Sequence, residues 1–321
     1  MNKKKLFTVV ICVLSLFAVA LVLHYFIFFR ELNMRGKYTF GKVKNEIADI
    51  NHIKLNTPQY GEVNLYWNEG YWRFKEAGDY FVNYDMLAGF YEMVNNSVVI
   101  SASKTDFATL QTNNLLSSSE ADNSIGQGTE ISVYNDKNKI LTDLIIGNRI
   151  NSDGYTYARP RDKNIIYVIS AVGRFSGDAQ AWLPYPLLIV DYTYINNIIC
   201  NDITIDEKQL QTALFKNQQL MNLFDILQYL EYEGIVRKND FFQASDKAKA
   251  KKIVINMIGG LIYEINVYEI NNTYWATIDL KAQSIAHKEV YPFVEENAKY
   301  FADWAFQLPD SQGWFLYNLQ F

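Results

Sequence analysis

The residues of this chain that are best suited to contact a ligand are eight aromatic residues on short alternating segments. They are Tyr66, Trp67, Tyr71, Trp72, Tyr155, Tyr157, Tyr274 and Trp275. Neighbouring residues of a strand face opposite sides of a sheet, so one member of each adjacent pair is expected to be exposed. Exposed Tyr and Trp stack on sugar rings or form hot spots of protein interfaces, whereas buried ones stabilise the sheet by cross-strand packing. The set predicts contacts with a protein partner or with a glycan, and core packing is the alternative role.

No pattern of residues indicates catalysis or metal binding. The sequence has no Gly-x-Ser-x-Gly elbow, no His-Glu-x-x-His pair and no calcium loop. Its two cysteines, Cys12 and Cys200, and its three histidines lack metal-ligand spacing. We therefore predict that the protein is not an enzyme and has no cofactor and no metal. A hydrolase that uses the carboxylates of Asp202 or Asp206 is the enzymatic alternative.

Composition and charge exclude two further classes of protein. The chain has 321 residues, of which 49% are hydrophobic, and a formal net charge of −5. The apolar content excludes a wholly disordered chain. The acidic balance argues against a nucleic-acid partner, because nucleic-acid-binding domains usually carry a basic face.

The N-terminal segment predicts a membrane anchor. Residues 6–29 carry no formal charge, and a helix of that length rises about 36 Å, enough to cross a hydrocarbon core of about 30 Å. The alternative is a signal peptide cleaved after Ala20. Lys3, Lys4 and Lys5 favour a cytoplasmic N-terminus, although basic residues between Arg30 and Lys44 oppose this bias. We expect a single span with the body outside the cytoplasm.

The remainder of the chain, after the transmembrane helix, predicts an α+β fold. We expect two similar lobes, each an antiparallel sheet with helices packed on it. The expected divisions are a tail and anchor at 1–30, a stalk at 31–48, a first lobe at 49–190 and a second lobe at 191–321. The segment "GYTYARP" in the first lobe matches "NTYWATI" in the second in position and character. This match predicts a diverged internal repeat.

Apolar spacing predicts individual elements within the lobes. Amphipathic spacing predicts helices at 84–94 and 218–233, and a further helix is expected at 291–306. The final segment "WFLYNL", residues 314–319, is expected to be a strand.

The segments "GEVNLYWNEGYWRF", "LIIGN" and "GYTYARPRDKNIIYVIS", in this order, resemble the bacterial family called domain of unknown function 4340. The resemblance covers about residues 50–190 and rests on hairpins and turn glycines. It implies an N-terminal membrane anchor and association with ABC-transporter subunits, namely gliding-motility-type ABC-2 exporter components. It implies no catalytic residues. From the lysines at the N-terminus and the long body after the anchor, we expect the body to lie at the periplasmic side of a bacterial inner membrane.

Together these features predict a non-catalytic, membrane-anchored periplasmic accessory or scaffold protein of an ABC-type export or gliding-type system. The alternative function is an envelope glycan- or polymer-binding module.

Overall fold

The computed structural model describes residues 13–23, 25, 32–150, 154–170, 176–200, 203–213, 217–244 and 249–320. Over these residues the chain is an α+β protein with antiparallel sheets and helices, which confirms the fold class predicted from the apolar pattern. The chain divides into two compact units. The first comprises Met1–Trp67 and Tyr84–Gln180, and the second comprises Asn68–Asn83 and Ala181–Phe321.

The predicted anchor lies only partly within the described residues. Residues 13–23 and 25 are helical, and their apolar side chains are exposed, as Leu16 (70%) illustrates. The rest of residues 6–29 lies outside the described part. In the part of the chain that the structure describes, no helix is long and apolar enough to cross a membrane.

The strands are numbered in chain order. They are β1 (Ile50–Thr57), β2 (Gly61–Asn68), β3 (Tyr71–Phe74), β4 (Tyr80–Phe81), β5 (Val99–Lys104), β6 (Thr129–Asn135), β7 (Ile140–Arg149), β8 (Tyr155–Pro160), β9 (Ile165–Ser170), β10 (Ile195–Cys200), β11 (Ile203–Asp206), β12 (Gly234–Arg237), β13 (Lys251–Met257), β14 (Leu261–Ile270), β15 (Thr273–Ala282) and β16 (Trp304–Leu308).

The helices after residue 40 are numbered in the same way. They are α1 (Gly41–Asn45), α2 (Tyr84–Asn96), α3 (Phe107–Thr112), α4 (Glu207–Ala213), α5 (Gln218–Gln228), α6 (Lys238–Ala244), α7 (Val290–Asn297) and α8 (Asp310–Tyr317). The helices predicted at 84–94 and 218–233 are confirmed as α2 and α5, although α5 ends five residues earlier than expected.

The two units share one sheet topology. Within the first unit the strand order is β2-β1-β6-β7-β8-β9-β5, and within the second it is β11-β10-β13-β14-β15-β16-β12. Every neighbouring pair in these two orders is antiparallel. Counted along the chain, the two orders are identical.

The strand registers agree in detail as well. β1 and β10, which come first along the chain in the two orders, carry a bulge at the same place, between Ile50 and His52 in β1 and between Ile195 and Asn197 in β10. Tyr157 in β8 and Trp275 in β15 hold corresponding positions. Each precedes an alanine that pairs with an aromatic residue of the next strand: Ala158 with Tyr167, and Ala276 with Phe306. Residues of one unit can therefore be compared with residues of the other by register.

Alternation along the strands forms the cores. In the first unit the fully buried face includes Ile53, Leu55, Leu65, Ile131 and Val133. In the second unit the corresponding face includes Ile198, Ile253, Ile255, Ile265 and Ile278. Apolar residues at every second position of neighbouring strands thus bury one side of each sheet.

The segment Asn68–Asn83 was expected in the first lobe, but its contacts assign it to the second unit. The ring of Tyr80 makes edge contacts with Trp304 at 5.1 Å and with Phe306 at 5.7 Å. Its hydroxyl donates a hydrogen bond to the carbonyl of Tyr300 at 3.0 Å. Burial in this aromatic cluster raises the pKa of Tyr80 well above its ordinary value.

The C-terminal predictions were wrong in part. The segment 314–319, expected to be a strand, lies mostly in helix α8, and the helix expected at 291–306 ends at Asn297. The strand β16 follows instead, because its backbone pairs with β12 and β15. Pro309, with φ −54° and ψ 140°, then turns the chain into α8.

Candidate partner-binding groove

The structure distributes the eight predicted aromatic residues over both units. Trp72 and Tyr274 are buried, with 4% and 7% of their surface exposed, so both belong to the core of the second unit. Trp67 is exposed (49%). The other five are half-buried: Tyr66, Tyr71, Tyr155, Tyr157 and Trp275.

Two of the half-buried residues are covered by neighbours from their own unit. The ammonium group of Lys299 lies 4.4 Å from the ring centroid of Tyr71 and donates a hydrogen bond to its hydroxyl at 3.0 Å. Tyr157 packs against a cluster formed by Leu110, Leu115 and neighbouring apolar residues. These contacts stabilise the units and leave little of either ring for a ligand.

Trp275 is the predicted residue that borders an open apolar groove, in the second unit. The groove has a volume of about 310 Å³, and its walls include Val236, Phe241, Ile270 and Trp275. The ring centroids of Phe241 and Trp275 are 5.6 Å apart. Helix α6 supplies Phe241, and the β14–β15 hairpin supplies Ile270 and Trp275.

The polar groups of the groove are few and mostly satisfied. The indole nitrogen of Trp275 donates a hydrogen bond to the hydroxyl of Thr273 at 3.1 Å, and this hydroxyl donates to the carbonyl of Ile270 at 2.7 Å. Trp275 therefore offers the groove an apolar ring whose N–H is already paired. Asp240 contributes a carboxylate to the lining. The arrangement suits an apolar side chain that has a cation beside it.

The sequence predicted Trp275 but missed the other walls of the groove. The signal that could have found them is the Phe241-Phe242 pair in a short helix that leads into a lysine-rich segment. Phe241 is buried and Phe242 is exposed (39%). Phe242 packs against Phe241 and Tyr268, so the two phenylalanines mark one apolar side of α6.

Two further cavities lie in the first unit. One, of about 370 Å³, is lined by polar groups that include Tyr60, Asn114, Gln127, Asn148 and Asp178. The other, of about 880 Å³, lies between residues 34–45 and the β7 strand. None of the eight predicted aromatic residues lines either cavity.

The described residues contain no group of three or more His, Cys, Asp or Glu side chains that could hold a metal ion. Asp202 lies outside the described residues. Asp206 is exposed at the end of β11, where its carboxylate accepts a hydrogen bond from the backbone of Gln209 at 2.8 Å. This hydrogen bond closes a turn at the start of α4.

Charged clusters occupy corresponding positions on the sheets of both units. In the first unit, Arg161 binds the carboxylates of Glu130 and Asp143. In the second, Lys252 lies 2.8 Å from Glu264. By register Lys252 corresponds to Glu130, and Glu264 corresponds to Asp143. The first of these positions is therefore acidic in the first unit and basic in the second.

The carboxylates of these clusters differ in pKa. Burial raises the pKa of Asp143, whereas the hydrogen bond from Lys252 lowers the pKa of Glu264. Each cluster pairs acidic and basic groups of its own unit, and in the second Lys281 also binds Glu264. We assign both clusters a structural role.

Comparison of the chain with known protein families, with curated proteins and with solved structures finds no match.

Proposed function

We propose that the protein is a non-catalytic, membrane-anchored accessory protein that binds a subunit of an ABC-type export system through its second unit. The observation that carries the proposal is the groove at Trp275, an open apolar site beside a carboxylate. Open apolar grooves walled by aromatic residues are typical of sites that receive anchor side chains of a partner protein. The resemblance to domain of unknown function 4340 supports the export system as the source of that partner.

The proposed anchor is the charge-free segment 6–29. Its described residues are helical and present exposed apolar side chains, as a membrane-embedded helix does. The body has an acidic balance and is therefore a poor candidate for lying on anionic lipid. A single helix that holds the body at the periplasmic side of a bacterial inner membrane fits both features.

The orientation of the anchor is tested by fusing alkaline phosphatase after Phe321. This enzyme folds into its active form only outside the cytoplasm, so we expect activity in the membrane fraction. A fluorescent protein of cytoplasmic type at the same point is the matched control and should stay dark. An inactive phosphatase fusion together with a fluorescent control fusion would place the body in the cytoplasm and overturn this part of the proposal.

The partner is tested by photo-crosslinking the full chain in native membranes. A photoreactive amino acid replaces Asn271, which is exposed at the groove. The control position is Ile285, which is 85% exposed and follows the opposite end of β15. We expect an adduct with a membrane-transport subunit at position 271 and not at 285. Equal recovery at both positions, or repeated recovery of no transport component, would count against the proposal.

A further inference from the structure

The polar cavity of about 370 Å³ in the first unit has the size of a small-molecule site. Its border consists of residues 57–60, 127–129, 146–148 and 176–178, together with Asn114. All of them belong to the first unit, and none of them borders the groove of the second unit. The cavity is therefore a second candidate site, which the proposed function does not use.

Two glycines hold one wall of the cavity in place. An added Cβ at Gly128 would lie 2.3 Å from the carbonyl oxygen of Asn114. An added Cβ at Gly147 would lie 2.3 Å from the carbonyl oxygen of Asn113. The side-chain nitrogen of Asn114 donates a hydrogen bond to the side-chain oxygen of Asn148 at 2.8 Å. Asn114 is thus fixed at the border of the cavity, and its side-chain oxygen accepts no hydrogen bond from the described residues.

Gln127 is a buried side chain whose polar atoms lack a protein partner. Only 8% of this residue is exposed, and it borders the cavity. Its side-chain amide makes no hydrogen bond with the described residues, yet its polar atoms keep access to solvent, whereas the unpaired hydroxyl of Thr39 is sealed. The amide therefore opens into the cavity, with N–H groups to donate and an oxygen to accept. It favours a ligand that satisfies both groups, because a buried amide left unpaired costs free energy.

The other polar groups of the border include hydroxyls, an aromatic ring and one carboxylate. Tyr60 is 51% exposed, and its backbone N–H donates to the hydroxyl oxygen of Thr57 at 3.0 Å, which fixes the turn that presents the ring. Asp178 supplies the carboxylate. Of the described residues that border the cavity, none is Lys, Arg or His, so an anionic ligand would find no opposite charge. Donors and acceptors beside an exposed ring suit a sugar, whose hydroxyls both donate and accept.

We propose that this cavity binds a sugar ring that carries an acetamido group. An acetamido group offers one N–H and one carbonyl, which pair with the side-chain oxygen and nitrogen of Gln127. The sugar ring packs on Tyr60, and its hydroxyls donate to the side-chain oxygens of Asn114 and Asp178. The site goes beyond the proposed function, because it lies in the first unit and needs no transport partner.

The test measures binding of two disaccharides to the full chain in lipid nanodiscs by isothermal titration calorimetry. The ligand is N,N′-diacetylchitobiose. The control is cellobiose, which has the same linkage and carries hydroxyls in place of both acetamido groups. We expect diacetylchitobiose to bind at least about fivefold more tightly, because it forms two additional hydrogen bonds with a buried amide. Equal affinities, or no binding of diacetylchitobiose, would overturn the proposal.

Two variants of the first unit locate the ligand. Gln127→Met keeps the length of the side chain without its hydrogen bonds, so it should weaken diacetylchitobiose binding by at least about fivefold and leave cellobiose binding unchanged. Tyr60→Ala should weaken binding of both disaccharides by about threefold, because both pack on the ring. The matched control is Gln219→Met, at an exposed position of α5 in the second unit, which should change neither affinity.

The preference for the acetamido sugar is the decisive measurement. A preference that persists in Gln127→Met, or that is lost in Gln219→Met, would contradict the proposal. Thermal unfolding verifies that each variant is folded. Should Gln127→Met not fold, Tyr60→Ala still tests the site, since this residue is exposed, and unchanged affinities in that variant would equally contradict the proposal.

The sugar could belong to a free saccharide or to an insoluble glycan, and cosedimentation of the full chain with purified peptidoglycan distinguishes these sources. Cosedimentation that Gln127→Met abolishes would assign the sugar to the polymer. Binding of diacetylchitobiose without cosedimentation would assign it to a free saccharide. Either result supports the site, whatever the crosslinking at position 271 recovers.

Discussion

Replacing Arg159 by Met is expected to lower the free energy of unfolding of the first unit by about 2–3 kcal/mol, because it removes charge-assisted hydrogen bonds and leaves the buried carbonyl of Leu115 without this donor. Arg159 is only 2% exposed. Its guanidinium binds both carboxylate oxygens of Glu120, at 2.6 and 2.9 Å, and also donates to the carbonyls of Leu115 and Lys163. The substitution removes these four hydrogen bonds and leaves Glu120 with those that Ser117 donates, and chemical denaturation of the full chain measures the loss.

The matched control for this substitution is Lys54→Met. Lys54 forms an ion pair with Glu62 at 2.7 Å, but both side chains are more than a third exposed. A pair of this kind contributes less than about 1 kcal/mol. Equal losses for Arg159→Met and Lys54→Met would contradict the prediction.

The same pair makes the stability of the first unit depend on pH. The hydrogen bond from Arg159 lowers the pKa of Glu120 from its ordinary value of 4.5 to about 2. A carboxylate whose pKa is lower in the folded state stabilises the fold fully above its unfolded pKa, and this contribution is lost as the pH falls through the folded value. Glu120→Gln should therefore flatten the decline in stability between about pH 4.5 and 2.

Replacing Gly147 by Ala is the second large effect we expect. An added Cβ would lie 2.3 Å from the carbonyl oxygen of Asn113 and 2.9 Å from that of Asn114. The loop cannot move away freely, because Asn148 donates a backbone hydrogen bond to Asn113 at 3.0 Å and Leu115 is buried beneath it. Overpacking against backbone atoms typically costs about 1–3 kcal/mol.

Thermal unfolding of the full chain and hydrogen exchange of the amide of Asn148 measure this effect. Both the melting temperature and the protection of that amide should fall. The control is Gly41→Ala, because Gly41 lies in helix α1 and an added Cβ there meets no atom within 4 Å. An alanine in a helix is favourable, so this variant should be neutral or slightly more stable. A Gly147→Ala protein that behaves like Gly41→Ala would refute the packing argument.

Local pattern alone predicted much of the fold. The turn predicted at Asn271-Asn272 is confirmed, with φ of 50° and 64° at the two residues, as a two-residue hairpin requires. The positional match of "GYTYARP" with "NTYWATI" agrees with the strand register, which aligns Tyr157 with Trp275. Turn chemistry and alternation act over a few residues, so they can be read without tertiary contacts.

Other features depended on what packs against each element. Alternation predicts that Tyr71 and Trp72 on β3 face opposite sides, but only the tertiary structure shows that Trp72 is the buried one and that Lys299 lies over Tyr71. The C-terminal segment satisfies a strand pattern but forms α8, where the close approach of Gly313 to Tyr274 seats the helix on β15. Burial and helix packing are fixed by residues far away along the chain.

The candidate site divides in the same way. The sequence by itself selected Trp275, because an aromatic residue on an alternating strand is a recognisable signal. Only the tertiary structure showed that Val236, Phe241 and Ile270 surround it, since these residues come from three separate elements. Whether an aromatic side chain becomes core or a binding surface depends on the segment that covers it. In the first unit Tyr157 packs against the cluster that contains Leu115 and Leu116, whereas in the second unit Trp275 packs against Phe241 and borders the open groove.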